Sequence, residues 1–526
     1  MSRSRFAALA LAFALTLPGA AHAQARLAHD PVLLPVPTDP TVSFKIAFAV
    51  GSQNDPAGKE GLAFLTATLM AEGATKQHAY PEILKLLYPM ASGYGTRVDK
   101  ELITFSGRVH KDNLDAYVPM LLDAIREPAF AEADFARIKQ RTRDFIEKTL
   151  RYSSDEELGK AALYAAAFAG TPYAHINAGT TAGLEAITLE DVRQFHARNL
   201  TRDAVILGLG GGYDAALLER MKRELAVLPA GKPAVVTVPP VAAPEGRPVV
   251  IVKKPGPATA ISFGFPIEAR RGERDFYALW VANSWLGEHR NSSSHLYGVI
   301  REKRGMNYGD YSYIESFPEG GNRNVPPPNV PRRRQLFEVW IRPVPNDQAQ
   351  FALRAALREV ESLVQNGLTK DQFELTRSFI TKYSLNYAVS TDDRLGYALD
   401  DRCYGVKTPG HLENFRRIVP TLTLEEVNAA IRKHLKPEHL WIAMVSEQAD
   451  ALAESLASGA PSPIKYATPK PEAVMAEDKT IEAYPLALRR DRILVLPVDA
   501  MFARKNCFFE FLGHLVQALF TRNAIH

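Results

Sequence analysis

The chain repeats itself. Thr188-Leu189-Glu190-Asp191-Val192 recurs 235 residues later as Thr423-Leu424-Glu425-Glu426-Val427. In each copy a Thr stands where it can cap a helix, and an acid three residues on can reach back to the Thr amide. Each predicted helix leads to an apolar strand, Ala204 to Leu209 in one copy and Leu440 to Val445 in the other. Another helical pattern follows each strand. The beginnings of the two copies match as well. Val42, Phe44, Ile46, Phe48 and Val50 alternate with period 2, the mark of a strand, and Ala258 to Phe265 is their counterpart. Tyr94-Gly95 recurs as Tyr308-Gly309, and Arg108 as Arg342, so about twenty residues are inserted between Tyr308 and Arg342. The insertion is the Pro- and Gly-rich run from Phe317 to Pro331, and it ends in Arg332-Arg333-Arg334. The matching turn of the first copy is tight, near Val98-Asp99-Lys100.

Such a repeat calls for two similar α+β domains. Each reads strand, helix, helix, hairpin, helix, long helix, helix, strand, helix. The 526 residues are too many for one ordinary core. The stretch from Val238 to Pro248 is rich in proline and reads as a semi-rigid linker between domains at 24–237 and 249–502. A tail, 503–526, follows. It contains the apolar run from Cys507 to Phe520, broken by Glu510, His514 and Gln517, too short and too polar to span a bilayer.

Residues 1–23 read as a signal peptide. Arg3 and Arg5 form a basic start, Phe6 to Leu17 is apolar, Pro18-Gly19 breaks the run, and Ala21-His22-Ala23 is a small-residue cleavage site. Export is expected, to the bacterial periplasm. The formal net charge is only +4, and two of the positive charges lie in the leader, so nothing points to nucleic acid or an anionic membrane as partner. Only Cys403 and Cys507 occur, so the fold rests on its core and not on a disulfide framework. The sequence leaves open whether the two pair.

The segment Gly51-Ser52-Gln53-Asn54-Asp55-Pro56-Ala57-Gly58-Lys59-Glu60-Gly61-Leu62-Ala63 resembles the M16 (pitrilysin/insulinase-like) peptidases. In that family Gly-Leu-Ala runs into His-x-x-Glu-His, where two His hold zinc and the Glu activates water. Here the first His position is Phe64, the Glu position Ala67 and the second His position Thr68. The resemblance places a third ligand near Glu147. A lone carboxylate cannot retain zinc, so Glu147 is at most a remnant, and it reads first as a solvated helix residue. No substitute cluster is evident; His434 and His439 are off helical i, i+4 spacing and read as surface residues.

A second segment, Ser294 to Gly309, resembles the family's C-domain signature, with Arg301, Glu302, Gly305 and Tyr308 at the matching positions. In the family this Arg and Tyr stabilise the oxyanion formed at the substrate carbonyl. A guanidinium and a phenol are suited to that task. Arg304 competes for the role of Arg301. The resemblance spans roughly Leu33 to Phe502. It implies two homologous M16-type (LuxS/MPP-like metallohydrolase) domains that close like a clamshell. It also implies a non-catalytic subunit that binds an unfolded peptide as an added strand. That subunit would offer Arg301 and Tyr308 to a partner chain with intact His-x-x-Glu-His. Zinc is expected in the partner and no cofactor in this chain. The alternatives are a scaffold with no catalytic role, similar to the core subunits of the respiratory bc1 complex, and an autonomous peptidase. No GxSxG, HExxH or Cys/His constellation supports the latter. Two weaker patterns read as plain structure: Gly208 to Tyr213 as a flexible turn, and Arg332-Arg333-Arg334 as a solvated hairpin tip, with anionic docking the alternative.

Overall fold

The structure, a computed structural model, describes residues 26–318, 323 and 325–504. The leader and Cys507 with its apolar run lie outside the described residues. The first half runs β1 (Val32–Pro35), β2 (Thr41–Phe48), α1 (Leu62–Glu72), α2 (Tyr80–Leu87), β3 (Gly93–Val98), β4 (Ile103–His110), α3 (Leu114–Arg126), α4 (Glu132–Asp144), a π-helical stretch Phe145–Ser153, α5 (Asp155–Ala167), α6 (Thr181–Ala186), α7 (Leu189–Asn199), β5 (Val205–Gly211) and α8 (Ala215–Leu225). The second half repeats this order. It runs β6 (Val249–Lys253), β7 (Ala258–Ile267), α9 (Arg274–Gly287), a π-helical stretch Tyr297–Glu302, β8 (Asp310–Tyr313), β9 (Gln335–Pro345), α10 (Ala349–Asn366), α11 (Lys370–Tyr383), α12 (Thr391–Tyr404), α13 (His411–Ile418), α14 (Leu424–His434), β10 (Trp441–Ser446), α15 (Ala449–Ser458), α16 (Glu472–Glu482) and β11 (Ile493–Pro497).

The sheets share one plan. The first has strand order β1-β5-β2-β4-β3 and the second β11-β6-β10-β7-β9-β8. In both, the opening strand pairs parallel with the late one, β1 with β5 and β6 with β10, and the rest of the repeat is antiparallel. The second sheet gains β11, parallel to β6. Both capping boxes form: Thr188 accepts from the Asp191 amide, Thr423 from the Glu426 amide, and each acid reaches back.

Both faces of each sheet are covered. Val42, Phe44, Ile46 and Phe48 of β2 pack into the first domain's own core. The opposite face of that sheet is covered by α12, whose Leu399 meets Ala47 and Ile206. In return, Val250, Val252, Ala260, Leu336, Ala443 and Val445 on the second sheet join the first domain's core, where α5 packs over β7 and β10. Each intruding helix starts on a Ser cap and an acidic first turn. Those acids take bases from the other domain: Asp155 pairs with Lys254, Glu156 with Arg342 at 3.2 Å, and Asp392 with Lys45 at 2.7 Å.

Two expectations are corrected. Gly208 to Gly211 is the buried end of strand β5, and not a flexible turn. The glycines serve close packing: a Cβ on Gly210 would lie 3.1 Å from Thr391 Cγ2 and 3.3 Å from Leu395 Cδ2 of α12. The arginine run is not a solvated tip either. Arg332 is buried and donates Nε and Nη2 to the two carboxylate oxygens of Asp99, both at 2.7 Å, across the domain boundary. Arg333 reaches Glu101 at 2.7 Å and Arg334 reaches Glu268 at 3.1 Å. Three consecutive cations each find a carboxylate, and the first two pairings cross the domain boundary, which makes the end of the insertion part of the interface.

Candidate functional site

Helix α1 is apolar on every side, and nine of its eleven residues are buried. Gly61 precedes it at φ +108°, and a Cβ there would meet the Ala178 carbonyl at 2.7 Å, so the tight entry demands glycine. The first amides are capped from upstream: Asp55 accepts from Gly61 N and Ala63 N, both at 2.7 Å. His175 holds Asp55 from the other side at 3.1 Å. Buried Lys100 donates to the His175 carbonyl, and the Ser52 and Gln53 amides donate to the Asp99 and Lys100 carbonyls. Ala67 and Thr68 are buried and Phe64 half-buried against the core. Glu147 sits on the π-helical stretch and pairs with Arg143 at 3.0 Å.

In the second domain Arg301 and Tyr308 come together. The Arg301 guanidinium lies 5.4 Å from the centre of the Tyr308 ring, a cation–π arrangement, and Tyr308 is 79% exposed. Arg301 ends one turn of π-helix; Tyr308 stands just before edge strand β8. The turn carrying Tyr308 is pinned beneath. Asn307 Nδ2 donates to Asp310 at 2.7 Å and to the Arg342 carbonyl at 3.0 Å. Burial pushes the Asp310 carboxyl well up, against the opposing pull of Asn307, Arg301 and Arg342. Arg304 is fully buried and locked by Asp478 at 2.8 Å and Glu477 at 2.9 Å. Arg304 is thus held in a buried ion-pair cluster, whereas Arg301 is only half-buried.

Residues 32–181 match the family model for insulinase (peptidase family M16), and residues 186–379 match the model for the peptidase M16 inactive domain. The chain belongs to the M16 peptidase family. Among curated relatives, this M16 chain is 22% identical over 409 residues to a Helicobacter pylori protein named "Non-peptidase homolog YmxG", covering 77% of this chain and 88% of that one. It is 24% identical over 401 residues to "Uncharacterized zinc protease Mb2805c" of Mycobacterium bovis, covering 76% and 86%. Among solved structures, a peptidase M16 inactive domain from Pseudomonas fluorescens aligns with a TM-score of 0.68 at 22% identity, covering 78% of this chain and 94% of that one.

The residues of this M16 chain do not fit the family's zinc. A phenyl ring, a methyl group and a single hydroxyl occupy the motif positions, and Glu147 is engaged elsewhere. Among the described residues no group of three His, Cys, Asp or Glu side chains could hold a metal ion. His434, expected at the surface, is instead largely buried and bonded to Asp275 at 2.8 Å; His439 is exposed. Cys403 is exposed and has no disulfide partner among the described residues. The sequence reading missed the support under each half-site: Asp55, Lys100 and His175 at the base of α1, and Asn307 with Asp310 beneath Tyr308. Asn307 and Asp310 flank Tyr308-Gly309, where the first copy has Gly93 and Thr96, a difference that marks them out.

Proposed function

We propose that this chain is the non-catalytic subunit of an exported, periplasmic M16-type zinc peptidase. It binds an unfolded peptide and supplies Arg301 and Tyr308 to a partner chain that carries the intact zinc motif. One observation carries the reading. The motif positions on α1 are filled by groups that cannot bind metal, while half-buried Arg301 lies against the ring of exposed Tyr308, whose turn is pinned from beneath. Two such donors side by side suit a carbonyl oxygen that gains negative charge, provided the reacting centre comes from another chain. The leader pattern supports export.

The peptide is assigned to the edge of β3. Four strands end the two sheets. β1 has four residues and closes on Pro35, β11 closes on Pro497, and β8 is buried. Proline and burial blunt an edge. β3 has six residues, no proline, and partly exposed positions from Gly93 to Arg97. An extended peptide can add to it through main-chain hydrogen bonds.

The test is reconstitution. The purified chain alone is expected to hold no stoichiometric zinc and to cleave no peptide, and mixing with the zinc-bearing partner to produce cleavage. One tightly held zinc per chain would defeat the proposal. Within the complex, Arg301→Ala and Tyr308→Phe should each lower turnover by about 10²–10³, as expected for an oxyanion donor. The scaffold reading is favoured by the relative named a non-peptidase homologue. It wins if both variants leave the complex fully active.

A further inference from the structure

The last part of the insertion that distinguishes the second copy from the first, residues 325–332, is anchored in both domains. In its own domain, the Asn329 amide donates to Asp400 at 2.9 Å, the Tyr397 hydroxyl donates to the Pro326 carbonyl at 2.7 Å, and the Arg332 amide donates to the Tyr404 hydroxyl at 3.1 Å. All three partners lie on α12. Residues 325 to 332 are buried throughout. From this base Arg332 and Arg333 reach the β3–β4 turn of the first domain, while Arg333 also donates to the Val236 carbonyl at 3.1 Å and Arg334 stays with Glu268 of its own domain. Arg332 forks onto Asp99, with its guanidinium 5.2 Å from the ring centre of Tyr164 on α5. Arg333 binds Glu101 through both its backbone amide and its guanidinium, and donates to Gln53 at 2.8 Å.

That turn is the junction of two elements. It closes strand β3, and its carbonyls accept from the amides of Ser52 and Gln53, each at 3.0 Å, in the loop that leads to α1. A forked guanidinium–carboxylate pair fixes direction as well as distance. With both partners buried, losing either leaves a charge uncompensated.

We propose that Arg332 and Arg333 are positioning residues through which the second domain holds the β3–β4 turn, and with it the β3 edge and the entry to α1, in one arrangement. The functional consequence rests on the assignment of the peptide to β3; the mechanical part does not.

Amide hydrogen exchange on the full-length chain tests it. In Arg332→Met and in Arg333→Gln, amides from Gly51 to Asp55 and from Arg97 to Ile103 should exchange at least about tenfold faster, while β7 and β10 keep wild-type rates. Arg333 is exposed, so its variant should fold even if Arg332→Met does not. Arg332→Lys keeps the charge but loses the fork and should fall between wild type and Arg332→Met. Unchanged exchange in the turn, or a uniform acceleration across both domains, would overturn the proposal. A peptide added to the wild-type complex then separates the two readings. Protection that appears on β3 and is weakened in Arg333→Gln supports both. Local loosening with no peptide protection of β3 leaves the tether standing and removes the peptide assignment.

Discussion

Lys100 stands in the tight turn between β3 and β4, yet it is not at the surface, where lysine is ordinarily found. It is buried, and burial together with nearby Arg332 pulls its ammonium down from 10.5 to about 7, against the opposing pull of Asp99 and Asp55. A lysine with a lowered folded pKa binds a proton less readily in the folded chain than in the unfolded one. Between about pH 7 and 10.5 the unfolded state therefore carries the extra proton, and stability should rise with pH through that window. Below it, both states are protonated and the full penalty applies. Lys100→Met removes the group. Its urea midpoint, followed from pH 7 to pH 9, should rise less than that of the wild-type chain. Parallel profiles for the two proteins would show that Lys100 is not the titrating group. The residue scale also shows where sequence reading stops. Phe64, Ala67 and Thr68 were legible because a local motif fixes their places. The pairing of Asp99 with Arg332, 233 residues apart, was not, since no local pattern records which carboxylate a buried arginine will find.

Elements were legible where their pattern is local and opaque where a neighbour decides. The capping boxes at Thr188 and Thr423 are such local patterns, and both form. Strand β2 gave its Val42–Phe48 face by alternation. Alternation says nothing of what covers the other face, where Ser43 and Lys45 are buried under α12. The glycines of β5 were misread for the same reason: their role is to admit a helix from the other domain. Gly210→Val tests this. The added side chain must displace Thr391 and Leu395, and overpacking of this kind costs about 1–3 kcal/mol. Gly95→Ala is the comparison, because a Cβ there meets nothing within 4 Å; its effect should stay within about 0.5 kcal/mol. Denaturant midpoints for the two variants check the contrast. Equal, small effects would mean that the β5–α12 contact is looser than the geometry indicates.

The repeat was legible in the whole chain, but not the way its copies depend on each other. Two similar domains joined by a proline-rich linker would ordinarily move independently, because contacts between domains are usually modest and polar. Here each domain completes the other. The second sheet's face of Val250, Val252, Ala260, Leu336, Ala443 and Val445 is at most 1% exposed, and α5 of the first domain covers it. The first sheet's outer face is covered in turn by α12. An isolated half would present this apolar face to water, and its acidic helix turn would lose the bases that answer it. Residues 249–502 produced alone should therefore bind a hydrophobic dye and self-associate, and co-expression with the first half should return a monodisperse species of full-chain size. The intact protein should unfold in one calorimetric transition, with the calorimetric and van't Hoff enthalpies in agreement. Two resolved transitions, or a second half that is monomeric and folded by itself, would show that the shared face contributes little. The outcome bears on the proposed function, which requires Arg301, Tyr308 and the β3 edge to be presented to a partner in fixed relation. Reciprocal burial of α5 and α12 is what keeps a group from one domain in register with a strand from the other.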